Sequence, residues 1–309
     1  MTENFTQIQW DDRLADDVRR LVAVAKREDL GDGEDLTTNL LVPAGRPGRA
    51  AIVVRESATL AGLRAAQLAL AAYGGGATFI YHASDADTVP ANTAIAEIAG
   101  PARTLLTAER VMLNILGRLC GVATATRRYV DAIAGTSAHV YDTRKTTPGF
   151  RRLEKYAVRC GGGRNHRLGL YDAILIKDNH LAFGGHEHGN ARFTPAEAVQ
   201  RAHAFVREKF GAAGQPLPLI VVEVDTLEQL QLVLPVGPDI VLLDNMPPEM
   251  LRRAVAMRST TNPQVQLEAS GGINLESIRR VAETGVERIS LGALTHASRW
   301  VDVGLDWVD

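Results

Sequence analysis

The side chains with the most chemistry to offer lie between Asp142 and His180. Asp142-Thr143-Arg144-Lys145-Thr146-Thr147-Pro148-Gly149-Phe150 is followed by Asn165-His166-Arg167 and then by Lys177-Asp178-Asn179-His180. Arg144, Lys145, Arg167 and Lys177 thus share a short stretch with His166 and His180, each cluster at or soon after the end of an apolar run. Arginine offers a planar fork of donors to carboxylate or phosphate, and lysine a compact charge. Cations gathered at strand ends point to a ligand with several negative charges, because barrels and open α/β sheets bind at the carboxyl ends of their strands.

Further along, Glu223 and Asp244 end two apolar runs, and Ser270-Gly271-Gly272 and Leu291-Gly292-Ala293 end two more. A glycine turn between a late strand and a helix exposes backbone N–H groups, a common phosphate cradle. Two carboxylates beside a phosphorylated ligand suit Mg²⁺, which takes carboxylate, water and phosphate oxygens. Together these groups fit transfer chemistry on a phosphorylated sugar. An acidic second substrate would sit in the Arg/His/Lys cage, and the carboxylates would stabilise positive charge developing on the sugar ring. Each piece has a plainer reading by itself: Arg144 and Lys145 as surface ion pairs, His166 as a structural histidine, Glu223 and Asp244 as buried partners of arginine, and Arg110 as a solvated helix residue. Recurrence at successive strand ends favours the functional reading.

Positioning these residues takes two kinds of element pattern. Asp11 to Glu28 reads as an amphipathic helix, and Asp32 to Thr38 as a loop or capped turn. Short β-like runs (50–55, 78–82, 93–98) surround one Ala/Leu helix at 62–73, which predicts a small α+β layer. A long helical pattern over 104–134 is expected to break near Gly121. Apolar runs at 138–141, 173–176, 219–224, 240–243, 265–269 and 288–291 then alternate with helical stretches at 195–209, 227–234, 248–257 and 275–284. That rhythm predicts a parallel sheet covered on its faces. A polar or glycine residue closes every strand, which favours an open or incomplete barrel over a doubly wound sheet with its single switch point.

Composition narrows the partners. With 309 residues, 46% hydrophobic and 23% charged, the chain is an ordinary globular one, long enough for a barrel and a smaller companion domain. A formal charge of −2 argues against bulk attraction to nucleic acid or anionic lipid. Any anion must be caught by a local basic pocket. Cys120 and Cys160 lie outside metal or redox spacings and read as inert thiols of a reducing compartment. No signal-peptide layout or membrane-length apolar run is visible, so a cytoplasmic protein is expected. His186-Glu187-His188 reads as a solvated turn rather than a metal site.

The order of these motifs resembles the quinolinate phosphoribosyltransferase family over nearly the whole chain. The resemblance rests on 33–38 (Gly-Glu-Asp-Leu-Thr-Thr), 109–114 (Glu-Arg-Val-Met-Leu-Asn), Thr143-Arg144-Lys145-Thr146, the 161–170 segment containing Asn165-His166-Arg167, Lys177-Asp178-Asn179-His180, Leu243-Asp244-Asn245-Met246 and Glu268-Ala269-Ser270-Gly271-Gly272-Ile273. It implies a type II phosphoribosyltransferase: an N-terminal α/β sandwich over 1–117, an open seven-stranded α/β barrel over 118–294, and a chain end (295–309) packed back on the sandwich. The implied reaction joins quinolinate to phosphoribosyl pyrophosphate with Mg²⁺, giving nicotinate mononucleotide, pyrophosphate and carbon dioxide. Arg144, His166, Arg167 and Lys177, with Thr143 beside them, are implied to hold quinolinate. Lys145 is assigned to phosphate or pyrophosphate, and Glu223 and Asp244 to ribose and Mg²⁺. Ser270, Gly271, Gly272, Gly292 and Ala293 are assigned to the 5′-phosphate. The resemblance also implies a homodimer in which Arg110 enters the neighbouring subunit's site. Residues 186–190 and Asp225, where relatives frequently carry a second glutamate, have no assigned role. Strand alternation would turn Lys145 away from Arg144. Three other readings compete: a Schiff-base aldolase or decarboxylase using Lys177, a sensor of phosphorylated ligands, and a phosphoribosyltransferase with another acidic acceptor.

Overall fold

Asp11 begins the first helix. Its carboxylate accepts the Leu14 N–H at 2.7 Å, and Leu14, Val18 and Val22 are buried along one face of α1 (Asp12–Leu30). The computed structural model describes residues 5–184, 192–211 and 217–308; the His186 to Asn190 stretch lies outside them. The loop expected at 32–38 is shorter than predicted, because Asp35 caps α2 (Leu36–Leu41) by accepting the Thr38 N–H at 2.9 Å. These hydrogen bonds from Thr38 hold the Asp35 carboxyl below its ordinary value.

Two compact units are present and both are discontinuous in sequence. One comprises 7–128, 145–163 and 293–309, the other 1–6, 129–144 and 164–292. In the first, β1 (Pro47–Val54) lies between β5 (Thr93–Pro101) and the strand Val303–Trp307, and β3 (Thr78–Tyr81) adds outside β5. All pairs are antiparallel, with Ala50 opposite both Ile98 and Trp307. A separate ribbon pairs β2 (Ala58–Thr59) with β4 (Thr88–Val89). The sheet with α1 and α3 (Leu63–Ala71) makes a small α/β layer. Helix α4 (Ala102–Ala132) runs unbroken through Gly121, contrary to the predicted break. Glycine is needed there for a different reason. A Cβ on Gly121 would lie 2.1 Å from the Arg299 carbonyl oxygen, and one on Gly117 2.8 Å from that of Val301. In the same unit, α5 (Arg151–Cys160) buries Glu154, whose Oε1 accepts from Arg118 Nε at 3.0 Å and Nη2 at 2.6 Å.

The second unit is a parallel sheet. Strands β6 (His139–Tyr141), β7 (Ala173–Ile176), β8 (Leu219–Val224), β9 (Ile240–Asp244), β10 (Gln266–Ser270) and β11 (Arg288–Ser290) run in the order β6-β11-β10-β9-β8-β7. Six strands form ladders among the described residues. The seventh implied by the resemblance is reduced to one parallel bridge, Arg164 to Tyr141, with the Arg164 N–H on the Val140 carbonyl and the Asp142 N–H on that of Arg164. Helices α6 (Asp178–Gly184), α7 (Pro195–Phe210), α8 (Leu227–Val233), α9 (Pro248–Thr261) and α10 (Ile278–Ala282) alternate with the strands. Thr194 and Glu197 close a capping box on α7, with Pro195 in its first turn. Side chains alternate along a strand, so Ala173, Leu219, Val221, Ile240 and Leu242 meet on one face and pack with Phe5 into a core cluster. Burying a phenylalanine side chain is worth about 1.5–3 kcal/mol.

Candidate active site

The parallel ladders bring all carboxyl ends of the strands to one edge. Glu223 pairs in register with Leu242, Leu242 with Glu268, and Asp244 with Ser270. Glu223, Asp244 and Ser270 therefore share the face of the apolar core cluster, one step beyond it. At the β7–β8 end, Lys177 Nζ lies 2.5 Å from Glu223 Oε2, with the lysine half exposed and the glutamate nearly buried. An ion-paired, solvated ammonium is the reverse of the apolar pocket that a Schiff-base lysine needs, and it argues against that alternative.

At the β6 end, Asp142 is fully buried and organises the next loop. Its Oδ1 accepts the His166 N–H at 2.9 Å and its Oδ2 the Asn165 Nδ2 at 2.6 Å. His166 Nδ1 accepts the Arg167 N–H at 2.7 Å, and its Nε2 lies 3.4 Å from Glu268 Oε1. His166 Nδ1 is thus taken up by the backbone of Arg167, while its Nε2 lies against the Glu268 carboxylate, whose Oε1 makes no hydrogen bond among the described residues. Arg167 donates from Nη1 to the Ala173 carbonyl at 3.1 Å. Burial, then the neighbouring Arg144 guanidinium, lower the Arg167 pKa, while Asp172 partly offsets them. Arg144 Nε is itself buried and meets no hydrogen-bond partner among the described residues. Two guanidinium groups side by side, one with an unmet buried donor, have the chemistry to hold an anion.

The glycine turns differ from the simple cradle predicted. Gly271 and Gly272 take φ of +90° and +62°, and a Cβ on Gly271 would lie 2.2 Å from Asn245 Oδ1. Asn245 donates its own N–H to the Ser270 carbonyl and its Nδ2 to Asp244 Oδ2 at 2.8 Å. Helix α10 does not follow this turn directly, since it begins only at Ile278 after an Asn274-centred turn. Gly292 is different: the one-turn helix Ala293–His296 starts right after it. Among the described residues no group of three His, Cys, Asp or Glu could hold a metal. Glu223 and Asp244, on adjacent strands and sharing a face, fit a Mg²⁺ that keeps water and substrate oxygens in its shell rather than one enclosed by protein.

Arg110, Lys145 and Ala293 belong to the other unit. The predicted alternation of Arg144 and Lys145 does not apply, because β6 ends at Tyr141. The Lys145 carbonyl accepts from Thr295 Oγ1 at 2.6 Å, and Thr147 Oγ1 donates to Glu154 Oε1 at 2.7 Å. This pinned loop lines a cavity of about 620 Å³ with Arg118 and His296. Arg110 is exposed on α4, 3.5 Å from Glu109. Burial pushes the Cys120 and Cys160 thiols up to about 12, which disfavours the thiolate form that a nucleophile needs.

Three residues of this region escape a reading of strand ends. Glu268 lies in the middle of β10, Arg288 opens β11, and Phe5 is remote in sequence. Charged residues set into otherwise apolar strands were the available signal for the first two; nothing in the sequence marks Phe5.

A parallel, open α/β sheet with cations and carboxylates at its strand ends defines an enzyme of acidic, phosphorylated small molecules. Residues 35–120 match the description "Quinolinate phosphoribosyl transferase, N-terminal domain" and residues 122–306 its C-terminal domain, so the chain belongs to the quinolinate phosphoribosyltransferase family. It is 44% identical over 297 residues to the nicotinate-nucleotide pyrophosphorylase [carboxylating] of Mycobacterium leprae, covering 96% of this chain and 97% of that protein. A probable enzyme of the same name from Bacillus subtilis is 40% identical, with 90% and 89% covered. The solved nicotinate-nucleotide pyrophosphorylase from Francisella tularensis superposes with a TM-score of 0.85 at 37% identity, covering 99% of this chain and 100% of that one.

Proposed function

We propose that this chain transfers the phosphoribosyl group of phosphoribosyl pyrophosphate to quinolinate, releasing pyrophosphate and carbon dioxide and leaving nicotinate mononucleotide for NAD synthesis. The observation that carries this reading is the Arg144–Arg167 pair, whose buried donor and mutual repulsion call for an acidic ligand. Two vicinal carboxylates meet that demand better than one. Lys177, at the next strand end, supplies a third cation and is held in place by Glu223.

The other roles follow the chemistry of the second substrate. Thr143 lies beside the dicarboxylate pocket. Lys145 neutralises phosphate or pyrophosphate, and the backbone of Ser270, Gly271, Gly272, Gly292 and Ala293 receives the 5′-phosphate. Glu223 and Asp244 face the ribose and would be the residues to hold Mg²⁺. A divalent ion held by these carboxylates would supply positive charge against the leaving pyrophosphate. As the C–O bond to pyrophosphate lengthens, the ribose carbon gains oxocarbenium character that the two carboxylates stabilise at a distance. The pyridine nitrogen then bonds to that carbon and becomes cationic. The adjacent carboxylate leaves as carbon dioxide, its bond pair remains on the ring carbon, and that carbon takes a proton. No protein nucleophile is needed. A second copy of the chain supplies Arg110 from α4, a solvent-facing guanidinium with only an adjacent glutamate as ion-pair partner in its own subunit among the described residues.

The test is an assay of mononucleotide formation with quinolinate or nicotinate as acceptor. Turnover of quinolinate and not nicotinate is expected; equal use of both would overturn the assignment.

A further inference from the structure

A closed ring of interactions beneath the acceptor half of the site uses residues with no role in the reaction described above. Phe5 stacks on His166 with ring centroids 4.3 Å apart and 27° between planes. The Arg288 guanidinium lies 5.0 Å from the centre of Phe5 and 3.6 Å from that of Tyr141. Glu268 closes the ring, accepting from Arg288 Nε at 2.8 Å through Oε2 and facing His166 Nε2 through Oε1. All four members are buried: Phe5 is 4% exposed, His166 6%, Glu268 0% and Arg288 1%.

The ring dictates where the His166 proton sits. Nδ1 accepts the Arg167 N–H, so Nε2 carries the hydrogen, and a carboxylate oxygen is the group that faces it. His166 thereby fixes the backbone of Arg167, the residue whose guanidinium neighbours Arg144. We propose that Glu268 and Phe5 are positioning residues: Glu268 sets the His166 tautomer, Phe5 sets the plane of its ring, and the two together hold Arg167 where the acidic acceptor binds.

This inference rests on the quinolinate reading for its kinetic consequence but not for its spectroscopic one. In Glu268→Gln, the new amide oxygen must serve Arg288, which turns the NH₂ toward His166 Nε2. That nitrogen then has to accept, the proton moves to Nδ1, and the hydrogen bond from the Arg167 N–H is lost. The experiment is ¹⁵N NMR of the His166 ring in the wild type and in Glu268→Gln, with steady-state kinetics on both and on Phe5→Leu. Phe5→Leu keeps the apolar filling of the core cluster but removes the stacked ring. The Nε2–H tautomer is expected in the wild type and its loss in Glu268→Gln. The Michaelis constant for quinolinate should rise about tenfold, the scale of one lost hydrogen bond to a charged group, with that for phosphoribosyl pyrophosphate within about twofold. Phe5→Leu should raise the quinolinate constant less, in the same selective way. An unchanged tautomer, or equal rises for both substrates, would overturn the proposal. If Glu268→Gln does not fold, Phe5→Leu decides: an unchanged quinolinate constant there defeats it. A wild type inactive on quinolinate would refute the assigned reaction instead, and the tautomer comparison would still decide this one.

Discussion

Arg144 is the residue on which the assignment can be tested most directly. Its buried Nε meets no hydrogen-bond partner among the described residues, and its neighbour Arg167 is another cation, so among those residues its removal strands no carboxylate at that atom. The protein should tolerate Arg144→Ala, while the acceptor loses hydrogen bonds to a charged group worth about 1.5–3 kcal/mol. The Michaelis constant for quinolinate should therefore rise roughly 10- to 100-fold, with that for phosphoribosyl pyrophosphate little changed. Steady-state kinetics with each substrate varied in turn make the comparison; parallel rises would refute an acceptor-specific role. The cations at the strand ends were legible in the sequence because residue type and position alone mark them. The partner of His166 was not. That pairing depends on the register Leu242–Glu268 and on Glu268 facing the barrel core, which no local pattern reveals.

Helices and strands were legible to the extent that their periodicity was self-contained. The six apolar runs of the parallel sheet fall on the six observed strands within a residue or two, because strands buried on both faces need continuous apolar sequence. The seventh strand could not be read: a Gly-Gly-Gly-Arg-Asn stretch has no strand pattern, and its single bridge at Arg164 exists only through Tyr141. Gly121 misled in the other direction. A glycine within a helical pattern reads as a weak point, yet here it admits the backbone of Arg299 against an uninterrupted helix. Gly121→Ala should consequently destabilise despite alanine's better helix propensity. A Cβ 2.1 Å from a carbonyl oxygen cannot be accommodated without moving α4 or the 299–301 segment, and such overpacking costs about 1–3 kcal/mol. Chemical denaturation should show a lower midpoint with an unchanged slope. A variant as stable as the wild type would show that this close approach is dispensable.

For the whole molecule, the question is how a chain with net charge −2 assembles a site for two polyanions. Long-range attraction contributes little at that charge, so the cations must be collected locally, and Arg110 is one that its own subunit leaves facing solvent beside Glu109. In the proposed dimer, a second copy of the chain would take Arg110 into its site. Mixing two inactive variants tests this. Arg110→Ala removes the residue donated to the neighbour, and Lys177→Ala removes one retained at the barrel. In a mixed dimer one site carries both defects and the other neither. Random exchange of equal amounts makes half the dimers mixed, each with one intact site of two, so activity should recover to about one quarter of wild type. Recovery should grow at the rate of subunit exchange, followed by native mass spectrometry of tagged variants. Complete exchange without recovery would place Arg110 outside the partner's site and return it to the solvated face that its helical position first indicated.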